Sequence, residues 1–208
     1  MGALAGTLGL AAAQFVPHPV AAGLTLGAGI ALTGALHLDG FLDGCDAFLA
    51  SASPERRREI LKDPRHGTFA VAGMFVAGSL WFASLLALPP RAYPAFAAYA
   101  GALARLAALA NAYAYPYAGD GAAARAFEAR PAIGPLLVQG ALLCIAGFAI
   151  APPFVAAVPL ASAIALVLGR SICERLGGAM VGDAYGFIIV VIEVGTLVTL
   201  SAAGTSFG

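Results

Sequence analysis

The stretch 37–46 holds the densest group of side chains in this sequence that could do chemistry. It contains His37 and three aspartates, Asp39, Asp43 and Asp46, although the 208-residue chain has only 11 acidic residues. If the stretch is helical, spacings of four and three residues place the three carboxylates on one face. Like charges on one face repel each other and need a cation to offset them. Because carboxylate oxygens suit Mg²⁺, the spacing predicts a magnesium site formed by these three aspartates.

The alternative for this stretch is an ordinary helix start, in which the helix dipole favours negative charge in the first turn. That explanation accounts for Asp39 but not for Asp43 and Asp46, which lie deeper in the helix. His37 precedes Asp39 by two residues and so projects to the opposite side of a helix. We expect His37 either to orient a carboxylate or the substrate, or to serve as an interfacial or capping residue.

A second polar stretch, 61–69, precedes an apolar segment and contains Lys62 and Arg65. Pro64 and Gly67 interrupt a regular helix there and predict a shaped turn. Cationic side chains in such a turn suit phosphate oxygens, and we expect Lys62 and Arg65 to contact phosphate. The alternative is simple anchoring of the chain at the membrane surface, which is sufficient to explain the arginine run 56–58.

Three further charged residues stand out against apolar surroundings. Arg105 lies inside an apolar segment, where it binds substrate in a cavity or forms a structural ion pair within the bundle. Glu193, in the last apolar segment, allows the same two interpretations. Asp183 follows a glycine-rich turn, which predicts a carboxylate delivered to the membrane edge for ligand binding.

The composition indicates a membrane protein. Hydrophobic residues make up 61% of the chain and charged residues 11%, and the mean hydropathy is +0.89, whereas soluble domains have about 25% charged residues. The formal net charge is zero, which gives no support for nucleic-acid binding by a basic surface. The three cysteines are odd in number and form no C-x-x-C pair, so we expect reduced thiols that pack in the bundle.

Repeated apolar windows predict an all-α, polytopic membrane bundle of six or seven transmembrane helices. Short proline-containing connections join some of the helices into antiparallel hairpins. The expected spans are 20–36, 68–88, 92–115, 132–151 and 186–203, with two weaker and shorter ones at 3–16 and 154–169.

The remaining connections, 37–67, 116–131 and 170–185, are polar and contain five, two and two basic residues. By the positive-inside rule all three lie in the cytoplasm, on the same face of the membrane. The whole chain, 1–208, is thus predicted to be one membrane-embedded domain with its chemistry on the cytoplasmic face.

Three ordered blocks of the sequence resemble the cobalamin synthase family (adenosylcobinamide-GDP ribazoletransferase). The first block, H-x-D-G-x-x-D-x-x-D, matches residues 37–46. The second, K-D-S-R-x-G-x-x-G, is similar to residues 62–70, and the third, R-L-G-G-x-x-G-D-x-x-G, is similar to residues 175–186. Pro64 and Ala70 depart from the second block, and Val190 stands where many relatives carry an acid. An N-terminal stretch that is usual in the family is missing, which suggests a truncated start.

The resemblance implies that α-ribazole, or its 5′-phosphate, displaces GMP from the corrinoid adenosylcobinamide-GDP. It implies that Asp39, Asp43 and Asp46 hold Mg²⁺ on the pyrophosphate, that Lys62 and Arg65 neutralise the leaving phosphate, and that Asp183 completes the metal shell or positions substrate. His37 belongs to the same catalytic block, and Arg105 is a further substrate-binding candidate. The implied location is the bacterial inner membrane, with a homo-oligomer and other cobalamin-assembly enzymes as partners.

Two other classes of protein share some of these features. A transporter also carries intramembrane charges, but it predicts titratable residues spread through the spans and an inverted repeat. A CDP-alcohol phosphotransferase also places spaced carboxylates on a membrane helix. It expects D-G-x-x-A-R, and the residues that follow Asp43 and Gly44 do not supply the Ala-Arg pair.

Overall fold

The computed structural model describes residues 1–118 and 132–204. Within these ranges the chain is helical, and two short 3₁₀ turns, Pro90–Ala92 and Pro152–Ala156, precede two of the helices. The α-helices are α1 (Gly2–Ala12), α2 (His18–Leu32), α3 (Leu36–Leu49), α4 (Pro54–Ile60), α5 (Thr68–Ala87), α6 (Tyr93–Ala114), α7 (Ile133–Ile150), α8 (Ala157–Arg175) and α9 (Gly182–Gly204).

Five of the described helical segments are long and apolar enough to cross a membrane, or six if the bent pair α2–α3 is one span. The predicted multi-pass helical bundle is therefore confirmed. Four of the five correspond to the predicted spans 68–88, 92–115, 132–151 and 186–203. The fifth corrects the weak span 154–169, because the 3₁₀ turn and α8 together extend it to Pro152–Arg175, 24 residues. The weak span 3–16 forms only α1, whose 11 residues measure about 16 Å.

The predicted span 20–36 is wrong at its C-terminal end. Helix α2 ends at Leu32, and the chain then passes through Gly34 and Ala35, whose φ angles are +60° and +58°. Two left-handed residues in succession cannot continue a right-handed helix. The chain therefore turns by 90° before α3 begins. As a result, the acidic stretch lies on a separate helix outside the five long spans.

Helix α9 lies at the centre of the bundle and packs against α3, α5, α6 and α8. Its Ile188, Leu197 and Leu200 are at most 1% exposed. On the other side of α6, small residues of α1 allow close backbone contact: a Cβ on Gly6 would lie 2.4 Å from the carbonyl oxygen of Tyr93. The central position of α9 means that the residues at its N-terminus are held by several neighbouring helices.

The polar connections meet at one end of the bundle, as predicted. Arg58 donates a hydrogen bond to the carbonyl oxygen of Leu176, which joins the first connection to the third. The backbone of Ala118 donates to the carbonyl oxygen of Met180 at 2.8 Å, which joins the second connection to the third. The rest of the second connection, 119–131, lies outside the described residues.

Candidate functional site

The acidic helix α3 crosses the start of α9 at a pair of glycines. A Cβ on Gly40 would lie 3.0 Å from the Cα of Asp183, and a Cβ on Gly186 would lie 3.0 Å from the Cα of Gly40. A side chain at either position would require the two helices to shift apart. One turn further along α3, Gly44 accommodates the Phe187 ring. The glycines therefore bring the predicted carboxylate of Asp183 to the helix that carries Asp39.

The carboxylates at this crossing repel one another. Partial burial, followed by the charges of Asp39 and Asp183, raises the pKa of Asp43 to about 6. His66, whose Nδ1 lies 3.5 Å from Oδ1 of Asp43, offsets part of this repulsion. The crossing therefore carries negative charge in excess of its cations. Asp183, from the other end of the chain, thus lies close enough to repel two of the three predicted metal ligands, Asp39 and Asp43.

Asp46, the third predicted ligand, has a different environment. Its Oδ2 accepts a hydrogen bond from the backbone N–H of Gly67 at 2.5 Å, and its Oδ1 accepts one from Ala70 at 3.0 Å. These N–H groups lie at the start of α5. The first N–H groups of a helix have no acceptor within the helix itself. Asp46 therefore caps α5 from a distant position in sequence. Its predicted role in binding Mg²⁺ stays a prediction.

The second polar stretch forms a turn between α4 and α5, as the proline and glycine predicted. Arg65 donates from Nε and Nη2 to the two carboxylate oxygens of Asp63, at 2.9 and 2.7 Å, and its side chain is 86% exposed. Hydrogen bonds from Arg65 lower the pKa of Asp63 to about 2. Lys62 is exposed, and within residues 1–118 and 132–204 it forms no ion pair. The turn thus presents one orientated guanidinium and one unpaired ammonium, and its His66 and Gly67 contact Asp43 and Asp46.

Arg105, predicted to bind substrate or to form an ion pair, has partners within the bundle. Its Nη1 donates to Oε2 of Glu193 at 2.8 Å and to the carbonyl oxygen of Gly101 at 2.9 Å. Its Nη2 lies 3.3 Å from Nδ1 of His37. This arrangement matches the ion-pair alternative, and a direct contact with substrate stays a prediction.

His37 lies where α3 packs against α9: its carbonyl oxygen would lie 3.1 Å from a Cβ on Gly186, and its ring contacts Arg105. Burial, and then the charge of Arg105, lower the pKa of His37, so the imidazole is neutral near pH 7. A neutral ring can accept the hydrogen bond from Arg105 at Nδ1. The structure therefore connects the first turn of α3 to α6 and α9 through the Arg105 side chain. A catalytic role for His37 stays a prediction.

Sequence reasoning left three arginines out of the site, and two of them hold the other end of α3. Arg57 and Arg175 donate to the carbonyl oxygens of Ala47 and Phe48, in the last turn of α3, the second at 2.6 Å. Arg58 donates to Leu176, as described above. The arginine run was interpreted as surface anchoring, yet Arg57 is only 7% exposed. Local sequence contains no signal for this, since the accepting carbonyls are chosen by the tertiary structure.

The donors at the crossing suit a hard divalent cation. They are carboxylate oxygens in a place with excess negative charge, and Mg²⁺ is commonly held by one or two carboxylates together with phosphates of a substrate. No group of three His, Cys, Asp or Glu side chains that could hold an ion by itself occurs among the residues that the structure describes. The chemistry of these donors fits Mg²⁺, and the magnesium site stays a prediction.

Comparison with known proteins agrees with this geometry. The model of the family described as cobalamin-5-phosphate synthase matches residues 1–201. The chain belongs to the cobalamin-5-phosphate synthase family. The match extends over both the acidic helix α3 and the central helix α9, so the family relationship includes the whole candidate site. No solved structure matches the chain.

Individual relatives in the family have been named for their activity. An adenosylcobinamide-GDP ribazoletransferase from Stutzerimonas stutzeri (strain A1501) is 35% identical over 86% of this chain and 74% of its own length. A protein of the same name from Pseudomonas putida (strain W619) is 34% identical over 91% of this chain and 78% of its own. The chain therefore spans about three quarters of the length of these relatives.

Proposed function

We propose that this member of the cobalamin-5-phosphate synthase family joins adenosylcobinamide-GDP to α-ribazole, or to its 5′-phosphate, and releases GMP. In this reaction a hydroxyl of the nucleoside attacks a phosphorus of the pyrophosphate, and the bond between that phosphorus and the GMP oxygen breaks. Such a displacement depends on positioning and on charge neutralisation more than on covalent chemistry by the protein.

The observation that best supports the proposal is the crossing of α3 and α9. It places Asp39, Asp43 and Asp183 as mutually repelling neighbours at the end of the bundle where the polar connections meet. Carboxylates that repel one another destabilise a fold unless a bound cation neutralises them. Binding of a Mg²⁺–pyrophosphate complex would provide that cation. Family membership favours this transferase over the transporter and CDP-alcohol alternatives.

In the proposed complex, Asp39 and Asp43 of α3 would hold Mg²⁺ together with Asp183 of α9. When bound, Mg²⁺ supplies positive charge to the pyrophosphate oxygens. Lys62 and Arg65 contact the phosphate of the departing GMP, since one has a free ammonium and the other is orientated by Asp63. Asp46 contributes by capping α5, which keeps the Lys62–Arg65 turn close to α3. Arg105 and His37 hold the first turn of α3 in place.

We further propose that this end of the bundle faces the cytoplasm, where nucleotide substrates occur. Nine of the 11 basic residues lie in the three polar connections, which is the bias expected for cytoplasmic loops. The substrate would then reach the site at the membrane edge. A bacterial inner membrane is the corresponding location.

The test is release of GMP from adenosylcobinamide-GDP by the protein in lipid vesicles, with and without α-ribazole and Mg²⁺. We expect GMP only when the nucleoside and Mg²⁺ are both present, in equal amount to the corrinoid product. GMP release without the nucleoside would identify a hydrolase instead. Independence from Mg²⁺ would remove the metal from the proposal and leave the transferase assignment standing.

A matched variant makes this assay specific to the crossing. Glu174 is an exposed carboxylate that pairs with Arg170 on α8 at 2.9 Å. Glu174→Gln removes one negative charge without touching α3, so we expect unchanged GMP release. Any Mg²⁺-dependent loss in this variant would show that the effect of carboxylate removal is general and not a property of the crossing.

A further inference from the structure

The C-terminal end of α3 is held by arginines that come from two other polar segments. Ala50, the residue after α3, has an extended backbone, so the helix ends without a glycine cap. The last carbonyl groups of such a helix need donors from outside. Arg57 of α4 and Arg175 of α8 supply them at Ala47 and Phe48.

These contacts are unusual because guanidinium groups are brought together without a carboxylate partner. The arginine ion pairs among the described residues join Arg56 to Glu59, Arg65 to Asp63, Arg105 to Glu193 and Arg170 to Glu174. Arg57 is buried, and the charge of Arg175 adds to burial in lowering its pKa. Two cations this close are stabilised by the negative end of the α3 dipole and by direct hydrogen bonds to its carbonyls.

The same arginines connect α3 to the segment that leads to Asp183. Arg58, which follows Arg57 in α4, donates to the carbonyl oxygen of Leu176. Leu176 precedes Gly177 and Gly178, whose φ angles of +78° and +104° form the turn into α9. Asp183 lies in the first turn of that helix. Helix α4 is therefore bonded both to the helix that carries Asp39 and Asp43 and to the turn that places Asp183.

We propose that Arg57, Arg58 and Arg175 form an arginine clamp that positions the acidic face of α3 relative to Asp183. The three are positioning residues: they act through α3 and the turn before α9 and do not touch the substrate. This inference rests on the proposed function, because the clamp would set the distances between the carboxylates that take part in the transfer. It predicts that loss of the clamp weakens the use of Mg²⁺ by letting α3 move.

Cys45 offers a reporter of α3 that does not depend on activity. Its thiol is 2% exposed and packs where a Cβ on Gly73 of α5 would lie, 2.5 Å from the sulfur. In a Cys144→Ser, Cys173→Ser background, the rate of maleimide labelling in vesicles measures how often α3 separates from α5. Arg175→Gln and Arg57→Gln should raise this rate by about tenfold, since each removes a hydrogen bond from a charged donor.

The chain contains matched controls for two of the clamp arginines, Arg57 and Arg175. Arg56 precedes Arg57 in α4 and pairs with exposed Glu59, and Arg170 lies in α8 before Arg175 and pairs with exposed Glu174. Arg56→Gln and Arg170→Gln should leave Cys45 protected. Equal labelling in clamp and control variants would overturn the proposal. The labelling result is independent of whether the chain transfers α-ribazole, so failure of the proposed function is recognised separately by the GMP assay.

Kinetics then separate positioning from direct binding of phosphate. Under the proposal, Arg175→Gln raises the Mg²⁺ concentration for half-maximal GMP release several-fold, and Arg175→Lys restores part of the loss by keeping the charge at the α3 terminus. The effect is equal for α-ribazole and its 5′-phosphate. A raised KM for the 5′-phosphate alone, with Cys45 still protected, would show that Arg175 binds substrate phosphate and would overturn the positioning role.

Discussion

The acidic crossing and the Arg105–Glu193 pair use the same kinds of charged residue with opposite results. At the pair, a guanidinium and a carboxylate lie 2.8 Å apart, and His37 joins them without adding a charge. At the crossing, the charges of Asp39 and Asp183 act against that of Asp43, and His66 offsets only part of this repulsion at Asp43. Charge that is neutralised within the fold stabilises helix packing. Charge left uncompensated at the membrane edge is available to a ligand, which is why we assign the chemistry to the crossing.

The largest expected effect comes from removing a carboxylate from the crossing. Asp43→Asn should lower kcat/KM for GMP release by about 10²–10³-fold, as expected for loss of electrostatic stabilisation of a charged transition state. The loss should persist at saturating substrate and be reduced by high Mg²⁺. If Asp43→Asn turned over at the wild-type rate with the same Mg²⁺ dependence, the crossing would not be the metal site.

The next effect comes from separating α3 and α9. Gly40→Ala places a methyl group 3.0 Å from the Cα of Asp183, which forces the helices apart and should destabilise the protein by about 1–3 kcal/mol. The rate of GMP release should fall by more than the loss of folded protein explains, because the spacing of the carboxylates changes. Gly27→Ala is the control, since a Cβ there meets nothing within 4 Å. Thermal unfolding in detergent and the GMP assay measure the two quantities.

The Arg105–Glu193 pair is tested by a double-mutant cycle on thermal stability. Arg105→Met and Glu193→Leu each leave one charge without its partner inside the bundle, whereas the double variant removes both. We expect a coupling energy of about 1–2 kcal/mol, with the double variant more stable than the sum of the single effects indicates. A coupling energy near zero would contradict the structural role of the pair.

The smallest effect is the pH dependence of stability in the absence of Mg²⁺. The folded pKa of Asp43 is raised from 3.8 to about 6, so folding favours its protonated form. The stabilisation is fully present below about pH 4 and is lost as the pH rises through 6, a change of about 1 kcal/mol after allowance for solvent screening. Asp43→Asn should flatten this slope. If the contribution of Asp43 to the free energy of unfolding increased between pH 4 and 7, the crossing would not carry excess negative charge.

Asp63 is an internal control, because its pKa shift has the opposite sign to that of Asp43. Its pKa is lowered to about 2 by hydrogen bonds from Arg65, so its contribution to stability is present above about pH 4 and is lost as the pH falls through 2. Asp63→Asn should therefore leave the slope between pH 4 and 7 unchanged. An effect of this substitution in that range would show that the measured slope does not come from the crossing.

Much of the fold could be predicted because apolar length and helical periodicity are local properties. The spans 68–88, 92–115, 132–151 and 186–203 follow directly from composition, and the turn between α4 and α5 follows from Pro64 and Gly67. The bend after Leu32 was missed because it depends on two residues in the left-handed region, and only one of them, Gly34, is a glycine.

The sequence by itself determined that this is a membrane bundle and that one helix carries an acidic face. Only the tertiary structure decided which charges are satisfied. In the folded chain, Asp46 accepts hydrogen bonds at the N-terminus of α5, Arg105 pairs with Glu193, and Asp183 lies beside α3. The physical reason is range: helical spacing acts over a few residues, whereas the partner of a charge is whichever group the packing brings near, here up to 127 residues away in the case of Arg175 and Phe48.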